Sequence, residues 1–204
     1  MKLTARTKIC IILIACSLFA AKGHTAEVAK ETTGREHQWG LSLYGGVHAI
    51  DTVHDIITFD ADYSDGNNLL VAALSREVYR SRRQHLSFEI EGQVGRHFGD
   101  DVSHWEFVAM GLGRWHTFPW DDVMDTSLGA GAGLSSYTEI SRVENNKTDD
   151  AQRLLGYLAF ELTLGLPQFP RWSLLTRIHH RSGLKGVIGE GSSNYLTVGF
   201  KYAF

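Results

Sequence analysis

The sequence has 204 residues, of which 21% are charged, and its formal net charge is -3. This length fits a single domain, and so weak a negative charge excludes the basic surface that a nucleic-acid partner requires. Mean hydropathy is near neutral. Such a value is typical of soluble proteins but also of membrane barrels, whose strands alternate lipid-facing and lumen-facing residues.

The first 26 residues are predicted to form a secretory signal peptide. Three basic residues among the first eight positions precede an apolar run over residues 9–21, which is the usual order in such signals. The run is too short for a membrane-spanning helix, which needs about 20 apolar residues. Small residues allow cleavage after Gly23 or after Ala26, and we therefore expect the chain to be exported.

A lipoprotein signal is the alternative that this segment leaves open. The stretch Leu13-Ile14-Ala15-Cys16 resembles a lipobox, in which Cys16 becomes a lipidated N-terminus. The apolar run continues past Cys16, which favours ordinary cleavage. The second cysteine, Cys10, also lies inside the signal. Ordinary cleavage therefore leaves a mature chain without a disulfide or a thiolate site.

After a polar periplasmic lead-in over residues 27–38, eight segments have strand character. Several have about ten residues or more, the length that a tilted membrane-crossing strand needs. Residues 39–204 are therefore predicted to form an all-β fold, an eight-stranded antiparallel transmembrane β-barrel of the outer membrane. The predicted strands are 39–47, 67–78, 85–98, 104–118, 124–138, 152–166, 171–182 and 194–204.

The last predicted strand alternates clearly and ends on an aromatic residue. One face carries Leu196, Val198, Phe200, Tyr202 and Phe204. This ending resembles the assembly signal of outer-membrane barrels and argues against the alternative, a soluble β-sandwich or lipocalin-like barrel. Glu89, Glu91 and Glu161 oppose apolar residues in their strands. We expect these carboxylates to point into the lumen and to pair with arginine, because facing lipid is costly.

The predicted connections alternate between long and short. Stretches 48–66 and 139–151 are long, whereas 119–122 and 167–170 are short turns. Because such barrels have short periplasmic turns, we expect both termini in the periplasm of a cell with an outer membrane. Tryptophans near strand ends are expected to mark the membrane interfaces; they are Trp39, Trp105, Trp115, Trp120 and Trp172.

No metal and no organic cofactor are predicted. The sequence contains 10 His, but none are spaced like metal ligands on a helix. His179 and His180 are adjacent, so they point to opposite faces of a strand and cannot chelate one ion together. Glycine-rich stretches lie within strands, where they relieve crowding and do not bind phosphate.

His180 and Ser182 are the candidate catalytic pair. They are two residues apart on the seventh predicted strand, so both side chains project from the same face. A hydroxyl needs a base within hydrogen-bond reach to act as a nucleophile, and a neutral imidazole suits that task. A pair of ordinary interfacial residues is the simpler alternative.

The parity of the strand places this pair on the lipid side. Arg177, His179 and Arg181 occupy the opposite face, which we expect to be the lumen. His180 and Ser182 are then expected at the outer end of the strand, facing the leaflet made of lipopolysaccharide. Polar residues that face lipid are costly and indicate a function.

The stretch from His180 to Phe204 resembles the C-terminal end of the PagL family of outer-membrane lipid A 3-O-deacylases. That family is an eight-stranded barrel with a lipid-facing His-x-Ser pair on the penultimate strand. The resemblance implies Ser182 as the nucleophile and His180 as its general base. It also implies hydrolysis of an ester-linked acyl chain of lipid A through an acyl-enzyme, without a metal or organic cofactor.

The sequence departs from the family pattern at two positions. Asn194 stands where the family's triad has a glutamate. An asparagine can orient an imidazole through its oxygen but cannot stabilise the imidazolium as a carboxylate does. Glu190 is an alternative orienting carboxylate in a nearby loop. Gly183 follows the serine, where the family commonly has an asparagine, so only its backbone N–H remains as an oxyanion donor.

The predicted function is a lipid A deacylase-like ester hydrolase, with lipopolysaccharide and outer-membrane lipid as its partners. Two alternatives remain open at this stage. One is a non-catalytic structural or adhesive barrel that works through its long loops, and the other is an acyl transferase with the same nucleophile. The acyl chain that is cleaved and a homodimeric state are also left open.

Overall fold

The computed structural model describes residues 38–145, 151–183 and 187–204. The predicted signal peptide and lead-in residues 27–37 lie outside these ranges. The strands are β1 (Trp39–Ala49), β2 (Tyr63–Arg80), β3 (Leu86–Gly99), β4 (Ser103–Trp115), β5 (Asp125–Tyr137), β6 (Leu154–Gly165), β7 (Trp172–Ser182) and β8 (Ser192–Ala203). They pair in chain order, all antiparallel, and β1 closes on β8. The predicted eight-stranded barrel is confirmed.

Two short helices lie in the connections: α1 (Val53–Ile57) between β1 and β2, and α2 (Arg142–Asn145) between β5 and β6. Within the described ranges, no helix has the length and apolar character needed to cross a membrane. Neither helix could be predicted from the sequence, because runs of four and five helical residues are too short to show a helical period.

The strand boundaries differ from the predicted ones by at most four residues. β2 begins at Tyr63 because Tyr63 pairs with Ala49, beyond a shift in register that leaves extra residues on β2. β4 ends at Trp115, three residues before the predicted end at 118, and the chain then turns toward Pro119. Both ladders of β4 end at Trp115, which pairs with Leu86 and Leu128, so residues 116–118 lie beyond the sheet.

The connections divide between the two ends of the barrel. The chain termini lie at what we call the terminal end, where the Phe204 N–H donates to the Trp39 carbonyl oxygen at 2.9 Å. Connections 81–85, 116–124 and 166–171 lie there too. The opposite, loop end carries connections 50–62, 100–102, 138–153 and 183–191. The long stretches predicted over 48–66 and 139–151 therefore lie at the same end.

Side chains alternate between the outer wall and the lumen. The wall exposes large apolar residues, among them Leu43, Leu70, Ile90, Phe107, Leu128, Phe160 and Phe200. All five tryptophans are exposed at or near strand ends, as predicted. Glu89, Glu91 and Glu161 are buried in the lumen, which confirms the predicted parity of β3 and β6.

A chain of alternating charges fills the middle of the lumen. Its members, in order of contact, are Lys201, Glu89, Arg114, Glu161, Arg177 and Glu91. Arg114 Nε donates to Glu89 Oε1 at 2.7 Å, and Arg177 NH1 donates to Glu91 Oε1 at 2.6 Å. Three cations and three anions thus neutralise one another inside the barrel, as buried charges require.

The mouth at the loop end is occupied by Glu144 of α2. This buried carboxylate pairs with Arg181 and accepts a hydrogen bond from Ser193 Oγ at 2.8 Å. Arg181 also donates to the main-chain oxygens of Gln152 and Arg153. The β5–β6 connection is therefore held at the barrel mouth by polar contacts from α2 and from the residues just before β6.

Residues 50–62, here called the β1–β2 segment, fold back against the outer wall. At the start of α1, Thr52 donates its backbone N–H at 3.0 Å and its hydroxyl at 2.6 Å to Asp55 Oδ2. These bonds lower the pKa of Asp55, the side-chain bond most. Ile56 is buried in a cluster with Ala49, Ala61 and Ile178. Because Ala49 and Ile178 belong to the wall, the segment covers the wall beside β7.

Candidate active site

The structure brings His180 and Asn194 into direct contact. They are paired residues across β7 and β8, and His180 Nδ1 lies 2.5 Å from Asn194 Oδ1. Both belong to the outward-facing set of their strands, opposite the buried Arg181 and Tyr195. The position that the family resemblance assigns to an orienting group therefore touches the proposed base.

A third partner fixes the direction of the Asn194 amide. Asn194 Nδ2 donates to the main-chain carbonyl oxygen of Asp51 at 2.7 Å. A carbonyl oxygen accepts only, so the amide nitrogen must face Asp51 and the amide oxygen must face His180. His180 Nδ1 then carries the hydrogen, which leaves Nε2 as the unprotonated nitrogen of the neutral ring. That is the tautomer a general base needs.

Ser182 lies two residues beyond His180 on the same outward face of β7. Its cross-strand partner is Ser192, the first residue of β8. Both His180 and Ser182 are half-buried, so the candidate nucleophile and base are partly accessible at the loop end. In a strand, two residues along one face are separated by about 6.6 Å, a spacing that side chains can bridge.

The site is more covered than the sequence suggested. Asn194 is only 4% exposed and Ile178 only 9%, although both point outward. The β1–β2 segment covers them through the Asp51 carbonyl and the cluster around Ile56. Asn194 and Ile178 therefore do not belong to the exposed part of the outer wall. The site lies along the edge where the segment meets the wall.

Gly183 does not offer a free oxyanion donor in this conformation. Its N–H donates to the Gly191 carbonyl oxygen at 3.0 Å, so the oxyanion role stays a prediction that requires this bond to open. The position also requires glycine, because an added Cβ would lie 1.8 Å from the Gly189 carbonyl oxygen. Any side chain at position 183, an asparagine included, would meet this contact in the present conformation.

Glu190 is exposed in the β7–β8 connection. Its main-chain oxygen accepts from the Gln152 N–H at 3.2 Å, and its backbone forms a parallel bridge with Ala151. The contact to His180 Nδ1 is made by Asn194. Of the two orienting groups that the sequence offered, the structure thus places Asn194 at the base.

Sequence reasoning missed Asp51 entirely. It contributes a main-chain carbonyl, which any residue type supplies, so the sequence carries no signal for it. Reasoning from spacing also missed a cluster in the lumen, where His97 and His179 both contact Glu106. These three residues come from three strands, and neither their separation in sequence nor a helix pattern could indicate that they meet.

Comparisons with protein-family models and with curated protein sequences find no match. Among solved structures, Neisserial surface protein A (NspA) aligns with a TM-score of 0.51 and 9% identity, over 83% of this chain and 100% of that chain. This is an outer-membrane barrel fold. OprG from Pseudomonas aeruginosa aligns over 82% of this chain and 95% of its own, with a TM-score of 0.44 and 10% identity. Identities of this size bear on the fold alone.

Proposed function

We propose that this protein is an ester hydrolase that removes an ester-linked acyl chain from lipopolysaccharide. Ser182 is the nucleophile, His180 is the general base, and Asn194 orients the imidazole. The observation that carries the proposal is the contact of His180 Nδ1 with Asn194 Oδ1, held in one direction by the Asp51 carbonyl. An imidazole held in the base tautomer beside a serine of the same strand face is the arrangement that activates a hydroxyl.

The proposed reaction has two steps. Ser182 Oγ attacks the ester carbonyl carbon and gives its proton to His180 Nε2, and the bond between that carbon and the sugar oxygen breaks. The sugar oxygen takes the proton from Nε2, which leaves an acyl-enzyme. Water then attacks the acyl carbon with Nε2 as the base, and Ser182 leaves with the returned proton. The products are a free fatty acid and deacylated lipid A.

The surroundings of the site favour a lipid substrate. The β1–β2 segment exposes apolar side chains next to the wall, including Ile50, Ile57 and Phe59, the last 90% exposed. Val187, in the β7–β8 connection, is also strongly exposed. If the termini lie in the periplasm, the loop end lies in the outer leaflet. Acyl chains there can contact these side chains, while their ester groups lie at the level of the half-buried pair.

Two features predict a slow enzyme. Asn194 is neutral, so it orients the imidazole but does not offset the charge of the imidazolium. The Gly183 N–H is engaged with Gly191, so substrate binding must open this bond before it can stabilise an oxyanion. Loss of one oxyanion donor costs about a hundredfold or more in rate. We therefore propose that substrate binding rearranges the β7–β8 connection.

Mass spectrometry of lipid A tests the proposal. A host without lipid A deacylase activity expresses the wild type, Ser182→Ala, His180→Ala or an empty vector. Only the wild type should produce lipid A that lacks one acyl chain. Ser192→Ala is the matched control, because Ser192 pairs with Ser182 across the strands at the same end of the barrel, and it should behave as the wild type.

Other results would point elsewhere. Identical lipid A from all strains, with the barrel present in the outer membrane, would overturn the hydrolase and favour a structural or adhesive barrel. Loss of the acyl chain without release of free fatty acid would indicate transfer to another acceptor. Activity that survives in Ser182→Ala would exclude this serine as the nucleophile.

A further inference from the structure

Three side chains from different strands meet in the lumen near the loop end, on the inner side of the barrel wall. His97 of β3 and His179 of β7 both point at Glu106 of β4. Their Nε2 atoms lie 2.8 Å and 2.9 Å from the same carboxylate oxygen, Glu106 Oε2. All three ligand atoms lie within 4.8 Å of one another, and all three side chains are buried. Two imidazole rings therefore contact one carboxylate inside the barrel.

Glu106 differs from the other buried carboxylates of the barrel. Glu89, Glu91, Glu144 and Glu161 each contact an arginine or lysine. Within the described ranges, Glu106 has an ion-pair contact only with the two histidines, and its second oxygen accepts from Ser135 Oγ at 2.5 Å. A buried carboxylate without a cation is costly, so this position calls for a positive charge between the histidines.

Two ring nitrogen atoms in and beside this cluster lack a hydrogen-bond partner among the described residues. His97 Nδ1 and His104 Nε2 are buried and unpaired in the described part of the barrel. The two rings are stacked, with centroids 4.6 Å apart. Buried polar atoms are nearly always satisfied, and each exception calls for an explanation such as an ion or a water molecule. His97 Nδ1 is the ring nitrogen opposite the one that contacts Glu106, so it can carry the ring hydrogen when Nε2 binds an ion.

We propose that His97, Glu106 and His179 bind a divalent transition metal ion, with Zn²⁺ as the best match. Two imidazoles and one carboxylate form a donor set that suits zinc and leaves a further coordination position open. Ligand atoms of one zinc ion lie about 2.0 to 2.2 Å from it, so they are at most roughly 4.4 Å apart. In a tetrahedral site neighbouring ligand atoms are about 3.4 Å apart, so each Nε2 atom would move away from Glu106 Oε2 by roughly half an ångström, from 2.8 Å and 2.9 Å.

Tyr157 completes the site as an outer partner. Its hydroxyl lies 3.0 Å from His179 Nδ1. In the metal-free cluster Nε2 of His179 carries the hydrogen, and the Tyr157 hydroxyl donates to Nδ1. When the metal takes the Nε2 lone pair, the hydrogen moves to Nδ1, and the Tyr157 oxygen accepts it. The imidazole stays neutral, and the hydrogen bond is kept. Such an outer contact fixes the ring of a metal-bound histidine.

Elemental analysis of the intact barrel tests the site. The protein is purified in detergent from outer membranes of cells grown with added Zn²⁺, and metal is counted per chain after excess ion has been removed by a weak chelator. We expect close to one zinc ion per wild-type chain. After unfolding and refolding with Co²⁺, the wild type should show visible ligand-field absorption, which a hydrogen-bonded cluster does not produce.

Three variants separate this site from other histidines. Glu106→Gln removes the charged ligand and should abolish stoichiometric binding. Tyr157→Phe retains the ring and all three ligands, so it should weaken binding about 10- to 100-fold without loss of the fold. His54→Ala removes a strongly exposed histidine of the β1–β2 segment and should leave binding unchanged. Heat-modifiable migration on gels checks that each variant is folded.

The proposal fails if the folded wild type binds well under one ion per chain and shows no cobalt absorption. It also fails if folded Tyr157→Phe binds Zn²⁺ as tightly as the wild type, or if His54→Ala removes the bound metal. The lipid A assay does not depend on these residues. A negative result for the metal site therefore does not decide the proposed hydrolase, and the reverse also holds.

Discussion

The Asn194 side-chain nitrogen and the Asp51 main-chain oxygen are 2.7 Å apart, although 143 positions separate the two residues in sequence. The contact forces the Asn194 oxygen toward His180 Nδ1. The β1–β2 segment thereby sets the tautomer of the proposed base. A displacement of the segment should therefore change the rate of deacylation.

The first prediction concerns Asn194→Asp. This change supplies the carboxylate that a catalytic triad usually has, yet it places an oxygen against the Asp51 carbonyl oxygen, where the amide nitrogen was. We expect repulsion to release the β1–β2 segment, so that the side chain at position 194 no longer holds the imidazole in one orientation and activity falls. Deacylation rate and limited proteolysis within residues 50–62 measure the two effects.

Asn68→Asp is the control for charge alone, since Asn68 lies on the outward face of β2 near the same end. It should leave both measurements unchanged. A rise in activity for Asn194→Asp, with an unchanged proteolysis pattern, would contradict the role assigned to Asp51.

The second prediction tests how the segment is held on the wall. Ile56 is 3% exposed in the cluster with Ile178, whereas its neighbour Ile57 is 56% exposed. Ile56→Ala should remove about 2 to 5 kcal/mol of packing free energy, so that the segment opens and deacylation declines. Ile57→Ala should change neither. Hydrogen exchange over residues 50–62 reports the opening, and equal exchange in the two variants would refute it.

The barrel was predictable because its physical signals are local. Alternation in β3, β6 and β8 gave the parity of each wall, and the last strand ended where its aromatic pattern ended. The side of β7 that carries His180 followed from Arg177 and Arg181, which cannot face lipid. Each of these inferences needs only neighbouring residues and the strand period of two.

The cover over the site was not predictable in this way. The alternation of β7 predicts that Ile178 faces lipid. Only the folded structure shows that Ile56 packs on it. The Asp51 carbonyl carries no residue-specific signal, and the Gly183 N–H is engaged by a loop whose path depends on Gly191. Contacts made by backbone atoms, or by segments far apart in sequence, leave no pattern in the sequence.

The third prediction concerns Gly183→Ala. The added Cβ would overlap the Gly189 carbonyl oxygen, so the β7–β8 connection must shift. We expect a loss of about 1 to 3 kcal/mol in the free energy of unfolding, as for other overpacked sites, and a disturbed Ser182. Gly92→Ala is the matched control, because nothing lies within 4 Å of a Cβ there. Urea unfolding in detergent compares them, and equal midpoints would show that Gly183 is not sterically required.

The fourth prediction concerns Glu161→Gln in the lumen. Glu161 contacts both Arg114 and Arg177. The substitution therefore removes the carboxylate that two buried guanidinium groups share. Breaking a buried ion pair on one side costs about 3 to 5 kcal/mol. Glu139→Gln makes the same chemical change at an exposed position and should cost nothing measurable. A folded, wild-type-like midpoint for Glu161→Gln would show that the charge chain does not stabilise the barrel.

The lumen charges also constrain how the barrel can assemble. Arg177 and Glu91 are 86 positions apart, and Lys201 and Glu89 are 112 apart, so neither pair can form until the two halves of the chain are in place. Before then, Glu91 and Lys201 lack the partner that neutralises each of them. A stepwise entry of single hairpins into the bilayer would carry these charges into hydrocarbon. We therefore expect the barrel to close while water still hydrates its inner face. The pairing of β1 with β8 should then form together with insertion of the barrel into the membrane.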